Sequence, residues 1–340
     1  MAATTIDSNN APSTSTRPHA FAVPQPGCYV PAITFYQRNA DKLDLDAQAK
    51  YFSYLASSGL QGLVVLGTNA ETFLLTREER RALLQLARKS VPAGTPIIAG
   101  VMGHSTAQVL EYLADAYEAG SNYALLLPCA YFGKQTSPQV VKEFFAQVCS
   151  VSPIPIIVYN FPAVCNGLDM DSDLIADIAK ANSNVVGVKL TCGSVAKIAR
   201  LAATFPPSRF AVYGGQSDFL LGGLAVGSAG CIAAFANVFP KGVARLYRLW
   251  EAGRQEEALQ LQKTLSLAEQ PTKAGIANTK FAAAVLTAKK AGIKDPEFLL
   301  RPRRPYVEPT NDQKERIRKT VGAIAKLEDQ TADIRGAARL

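Results

Sequence analysis

Residues 153–214 contain PIPIIVYN (153–160), VVGVKL (185–190) and RFAVYG (209–214), three short β-branched apolar runs separated by segments with helical spacing. None of the three alternates apolar with polar. Strands of that kind are buried on both faces, as in a parallel sheet covered by helices. Five further runs extend the pattern in both directions: CYVPAITF (28–35), GLVVLG (62–67), PIIAGV (96–101), YALLLP (123–128) and AGCIAAF (229–235). Helical patterns such as LDLDAQAKYFSYLASSG (43–59), TREERRALLQLARKS (76–90) and TAQVLEYLADAYEAG (106–120) lie between them. Gly59 and Gly120 stand where helices stop, and Thr76 with Glu79 forms a capping box. Eight strands alternating with helices predict an α/β protein, a closed (β/α)8 TIM barrel. A doubly wound sheet would show fewer units and a glycine-rich phosphate turn, and the chain has neither GxGxxG nor GxxxxGK[ST].

The barrel is expected over residues 27–250. A Ser-, Thr- and Pro-rich leader (1–26) precedes it, and a helical C-terminal region (251–340) follows. With 48% hydrophobic and 19% charged residues over 340 positions, disorder of the whole chain is excluded. No apolar run approaches the roughly 18 to 20 residues of a membrane span. The six cysteines (28, 129, 149, 165, 192 and 231) lack close pairing and read as reduced thiols. The leader lacks the apolar core of a secretory signal; Arg17 is its only basic residue and Asp7 its only acid. Cytoplasm is therefore the expected location, with the mitochondrion second. A net charge of +8 suits anionic substrates, while no basic stripe interleaved with aromatics points to nucleic acid. His19 and His104 are the only histidines, too few for a histidine-rich metal centre.

Active sites of such barrels form at the C-terminal ends of the strands. Lys189 ends the sixth run, where apolar walls disfavour the ammonium and favour the neutral amine that attacks carbonyls. Its plain alternative is a lysine whose head reaches water. Tyr159 closes the fifth run, one unit away, as a candidate proton shuttle; its plain alternative is a core tyrosine. Gly67-Thr68-Asn69-Ala70-Glu71, after the second run, can turn backbone N–H groups toward a carboxylate, or serve simply as a turn. The barrel sends all three to one rim.

These residues resemble motifs of the dihydrodipicolinate synthase and N-acetylneuraminate lyase family of lysine Schiff-base aldolases. GTNAE (67–71) is similar to its GTTGE, IIVYNFP (156–162) to its YN[VIY]P and GVKLT (187–191) to its lysine motif, in order along the chain. The resemblance implies that Lys189 forms the Schiff base and Tyr159 shuttles the proton. It also implies that Thr68 partners Tyr159 and Asn69 holds the carboxylate of a 2-oxo acid. No metal or organic cofactor is implied. YNFPAVCN (159–166) lacks the arginine that dihydrodipicolinate synthases carry there, which argues against that activity. Pro128-Cys129-Ala130-Tyr131 keeps one tyrosine of the family's pair, so Tyr131 takes the relay role. The family implies a homotetramer, a dimer of dimers, in which Tyr131 completes a neighbour's site.

Gly215, Gln216, Ser217 and Asp218 follow the seventh run and are expected to read the substrate's polyol tail. Within the family the pattern is most similar to aldolases that cleave 2-keto-3-deoxy-L-galactonate to pyruvate and L-glyceraldehyde. Next come 4-hydroxy-2-oxoglutarate aldolases, which release pyruvate and glyoxylate. A cation at the distal end of the site would favour these, and the sequence alone places none there. A non-catalytic barrel that binds oxo acids is the third reading. Ala130 keeps it open, while Lys189 and Tyr159 argue against it. The expected partner is a small 2-oxo acid, with no nucleic acid or membrane.

Overall fold

The computed structural model describes residues 21–38 and 41–330. Eight parallel strands close into a barrel: β1 (Gly27–Pro31), β2 (Gly62–Val65), β3 (Ile97–Gly100), β4 (Tyr123–Leu126), β5 (Ile156–Asn160), β6 (Val185–Leu190), β7 (Ala211–Gly214) and β8 (Gly230–Ile232). Cys28 beside Cys231 completes the circle between β1 and β8. Helices follow the strands, as expected, and the architecture is the (β/α)8 TIM barrel with C-terminal helices.

Apart from β6, which spans its whole run, the strands are shorter than the apolar runs. In 28–35 the ladder stops at Pro31 because side chains take over the backbone groups beyond it. The Ile33 N–H donates to Asn237 Oδ1 at 3.3 Å and the Phe35 N–H to Gln48 Oε1 at 3.0 Å. Buried backbone groups need partners, and here the partners end the strand. The capping box at Thr76 forms, and Gly59 and Gly120 take the left-handed conformation past their helices.

Each strand splits its side chains between two apolar layers. Ile156 and Val158 face the helices, whereas Ile157 and Tyr159 fill the barrel interior. Below, Tyr29 and Tyr213 meet edge to face with centroids 5.6 Å apart, and both hydroxyls donate to the Gln25 carbonyl at 2.9 Å. Their rings fill the barrel interior on the side of Gln25, which precedes β1.

Beyond the barrel, the stretch 273–292 forms two helices, Ile276–Val285 and Thr287–Lys290. In the last described helix, Asn311–Gln330, the Glu328 carboxylate accepts the N–H groups of Lys241 and Gly242 at 2.9 and 3.0 Å. It thereby caps the helix Pro240–Glu251. Among the described residues no helix is long and apolar enough to cross a membrane. Most of the leader, including Asp7, Arg17 and His19, lies outside the described residues, as does 331–340.

Candidate active site

The aim of Lys189 depends on one extra residue. Ile156 pairs with Val185 but Ile157 pairs with Gly187, so β6 carries an additional residue, Val186, at the start of its ladder with β5. Side chains alternate along a strand, and Val185 faces the helices. Unbroken alternation would put residue 189 on that face too. The bulge reverses the phase, so Val188 and Leu190 face the helices and Lys189 enters the barrel beside Tyr159.

Among the described residues three lysines are buried, and their surroundings separate them. Lys280 donates to Glu71 and Lys197 to Asp169, whereas the contact of Lys189 is the ring face of Tyr159, 4.3 Å from its Nζ. Lys189 is 2% exposed and, among the described residues, lacks the carboxylate partner of the other two, so its primary amine is left unengaged by an ion pair inside the barrel.

Tyr159 shares a hydrogen bond of 3.3 Å with the Thr68 hydroxyl, so β2 and β5 meet at the rim. Thr68–Ala70 is a single 3-10 turn in which the N–H groups of Ala70 and Glu71 close onto the Gly67 and Thr68 carbonyls. The Thr68 and Asn69 N–H groups head this turn, an arrangement suited to a carboxylate. Leu66 and Glu71 bracket it at φ +65° and +56°, left-handed conformations that non-glycine residues rarely take.

Other rim residues have different tasks. Asn160 does not face the reacting end: its amide donates to Asp169 at 2.7 Å and its oxygen accepts the Met170 N–H at 3.0 Å, pinning the loop after β5. Of the residues after β7, Ser217 is fully buried and donates to Glu269 at 2.5 Å. Lys273 bonds Asp218 and also Gln216 Oε1, the latter at 3.0 Å. Gly215 packs on Thr191, whose Oγ1 would lie 2.1 Å from any added Cβ. The structure therefore ties the Gly215–Asp218 segment to the C-terminal helices, a link the sequence reading missed. Burial pushes the Glu269 carboxyl up to about 7, reinforced by Asp218 and opposed by Ser217 and Lys273. Thr191 was also missed. It lies two residues after Lys189, and its buried hydroxyl has no hydrogen-bond partner among the described residues. Its position at i+2 from the lysine was the available signal.

Tyr131 is exposed in a row of aromatic rings, Phe73, His104, Tyr131 and Phe132, with successive centroids 5.1 to 5.6 Å apart. Asn166 anchors its loop by donating to the Ala130 and Tyr131 carbonyls at 2.6 and 3.1 Å.

Residues 26–324 match the dihydrodipicolinate synthetase family. The chain belongs to this family and is a class I aldolase of the Schiff-base type. A relative from Coccidioides immitis (strain RS), provisionally named 4-hydroxy-2-oxoglutarate aldolase, mitochondrial, is 60% identical over 306 residues, 90% of this chain and 98% of the relative. An L-threo-3-deoxy-hexylosonate aldolase from Aspergillus niger is 39% identical over 286 residues, 76% of this chain and 85% of the other. Among solved structures, a dihydrodipicolinate synthase family protein from Coccidioides immitis superposes with a TM-score of 0.86 at 56% identity, covering 91% of this chain and 98% of that one.

Proposed function

We propose that the enzyme cleaves a 4-hydroxy-2-oxo acid to pyruvate and an aldehyde through an iminium on Lys189. The observation that carries this reading is the buried amine turned inward by the β6 bulge onto the Tyr159 ring. Lys189 Nζ adds to the C2 carbonyl and water leaves, so the iminium becomes an electron sink. Tyr159 accepts the proton of the C4 hydroxyl while passing its own to Thr68, with which it shares a hydrogen bond, and the Thr68 hydroxyl releases its proton in turn to solvent at the rim. The C3–C4 bond breaks, its electron pair moves into the iminium and the aldehyde departs. Protonation of the enamine at C3, then hydrolysis, frees pyruvate and restores the amine. The Thr68–Asn69 turn holds the carboxylate and orients the carbonyl toward Nζ, and Thr191 offers a hydroxyl to the bound acid.

For the substrate, 4-hydroxy-2-oxoglutarate takes precedence over 2-keto-3-deoxy-L-galactonate. Ser217 is engaged by Glu269, and Lys273 pairs with one oxygen of Asp218 while also donating to Gln216 Oε1, so a lysine stands at the loop that would otherwise read a polyol tail. The 60% identical relative carries the matching name. The exposed aromatic row supports a second copy docking there, with Tyr131 entering the neighbour's site in a dimer of dimers. The name of the same relative favours the mitochondrion over the cytoplasm expected from the leader, and fractionation of the tagged full chain decides between them.

The test is borohydride reduction in the presence of pyruvate, followed by peptide mass spectrometry. An adduct on Lys189 is expected, and a folded protein without one refutes the reading. Pyruvate release from each of the two acids then ranks them by kcat/KM.

A further inference from the structure

We propose that Glu71 and Lys280 are positioning residues that hold the carboxylate-binding turn in its strained shape from the C-terminal helices. This rests on the reading of Thr68 and Asn69 given above.

The turn is bracketed by two non-glycine residues in left-handed conformation, and such strain persists only where the surroundings over-determine it. The restraint falls on residues 70 and 71. The Thr34 hydroxyl donates to the Ala70 carbonyl at 2.9 Å. The Glu71 side chain, 3% exposed, accepts from Lys280 Nζ at 2.5 Å through one oxygen and from the Arg303 N–H at 2.7 Å through the other. Lys280, fully buried in the helix Ile276–Val285, also donates to the Arg301 carbonyl at 3.0 Å and lies 4.5 Å from the centre of the Tyr36 ring. One carboxylate thus joins the β2 turn to two separate parts of the C-terminal region. Its partners hold the closed end of the turn, and Thr68 and Asn69 present the open end.

A buried ion pair by itself argues little for stability, because desolvating both charges offsets their attraction. Replacing both partners by neutral groups of similar size is often tolerated, whereas removing one strands a charge. What the pair supplies here is geometry: a carboxylate accepting one directed donor through each oxygen fixes the Glu71 side chain, and with it the pitch of the turn.

The test compares the wild type with Glu71→Gln, Lys280→Met and the double variant by borohydride trapping over a pyruvate titration, with circular dichroism as the folding control. In the folded double variant the half-saturating pyruvate concentration is expected to rise about tenfold or more, with Lys189 fully labelled at saturation. A purely structural role would lower the labelled fraction and leave half-saturation unmoved. A folded double variant with wild-type half-saturation overturns the proposal. If the double variant does not fold, Glu71→Gln alone, which keeps the side-chain volume and weakens the bonds to Lys280 and the Arg303 N–H, must raise half-saturation, and no shift overturns the proposal. A wild type that forms no pyruvate adduct defeats the proposed function instead, so the two failures are distinguishable.

Discussion

Replacing Glu269 with glutamine should change how thermal stability depends on pH. Glu269 ends the helix Gln255–Glu269, is 2% exposed and accepts the Ser217 hydroxyl at 2.5 Å. Burial lifts its carboxyl from 4.5 to about 7; Asp218 adds to the rise, while Ser217 and Lys273 oppose it. The folded protein therefore holds this proton more tightly than the unfolded chain. Its contribution to stability is fully present below about pH 4.5 and is lost as the pH rises through about 7. At about 1.4 kcal/mol per pH unit, the loss is at most about 3 kcal/mol. Given an unfolding entropy of about 2 cal/mol/K per residue, this corresponds to a Tm change of about 4 °C for a chain of this size. Glutamine stays neutral throughout, and Glu328, also raised to about 7, titrates in both proteins and cancels. Melting both proteins at pH 5 and pH 8.5 should show the variant gaining about 4 °C on the wild type at the higher pH. A gap that does not change with pH would refute the placement of a protonated carboxyl under the β7 loop.

Three further outcomes are expected. Tyr159→Phe should lower kcat by about 10²-fold to 10⁴-fold while borohydride still traps pyruvate on Lys189; unchanged turnover would remove the phenol from proton transfer. Gly187→Ala puts a Cβ 2.6 Å from the Ala211 carbonyl oxygen. It should cost about 1 to 3 kcal/mol in chemical denaturation and reduce turnover of the folded fraction by misaiming Lys189; full turnover there would show that the bulge does not set the aim. Lys273→Met releases Gln216 and Asp218, and should reduce kcat/KM for 4-hydroxy-2-oxoglutarate about tenfold more than for 2-keto-3-deoxy-L-galactonate. Equal effects on the two acids would exclude Lys273 as the cation that selects between them.

The barrel was legible because each strand is apolar on both faces, a pattern that parallel strands under helices require and open antiparallel sheets do not. Strand ends were less legible: Asn237 and Gln48 end β1 from 204 and 13 residues away, contacts that no local pattern contains. Lys189, Tyr159, Thr68 and Asn69 could be singled out because each lies at a strand's C-terminal end, where this architecture gathers its chemistry. Ser217 and Asp218 show the limit. They look like free polar groups after β7, yet Glu269 and Lys273, some 50 residues on, engage the Ser217 hydroxyl and one oxygen of Asp218.

The sequence by itself determined the eightfold alternation, the open rim and the types of residue on it, because period and composition are local properties. The tertiary structure decided which way those residues face. VVGVKL does not reveal that Val186 is an extra residue, and without that bulge strand parity would turn Lys189 toward the helices. Likewise Glu71 reads as one more turn residue until the fold brings Lys280 and Arg303 to it from more than 200 positions away. Direction and long-range pairing arise only when the sheet closes, since closure sets the register between strands and brings the C-terminal helices against the β2 turn.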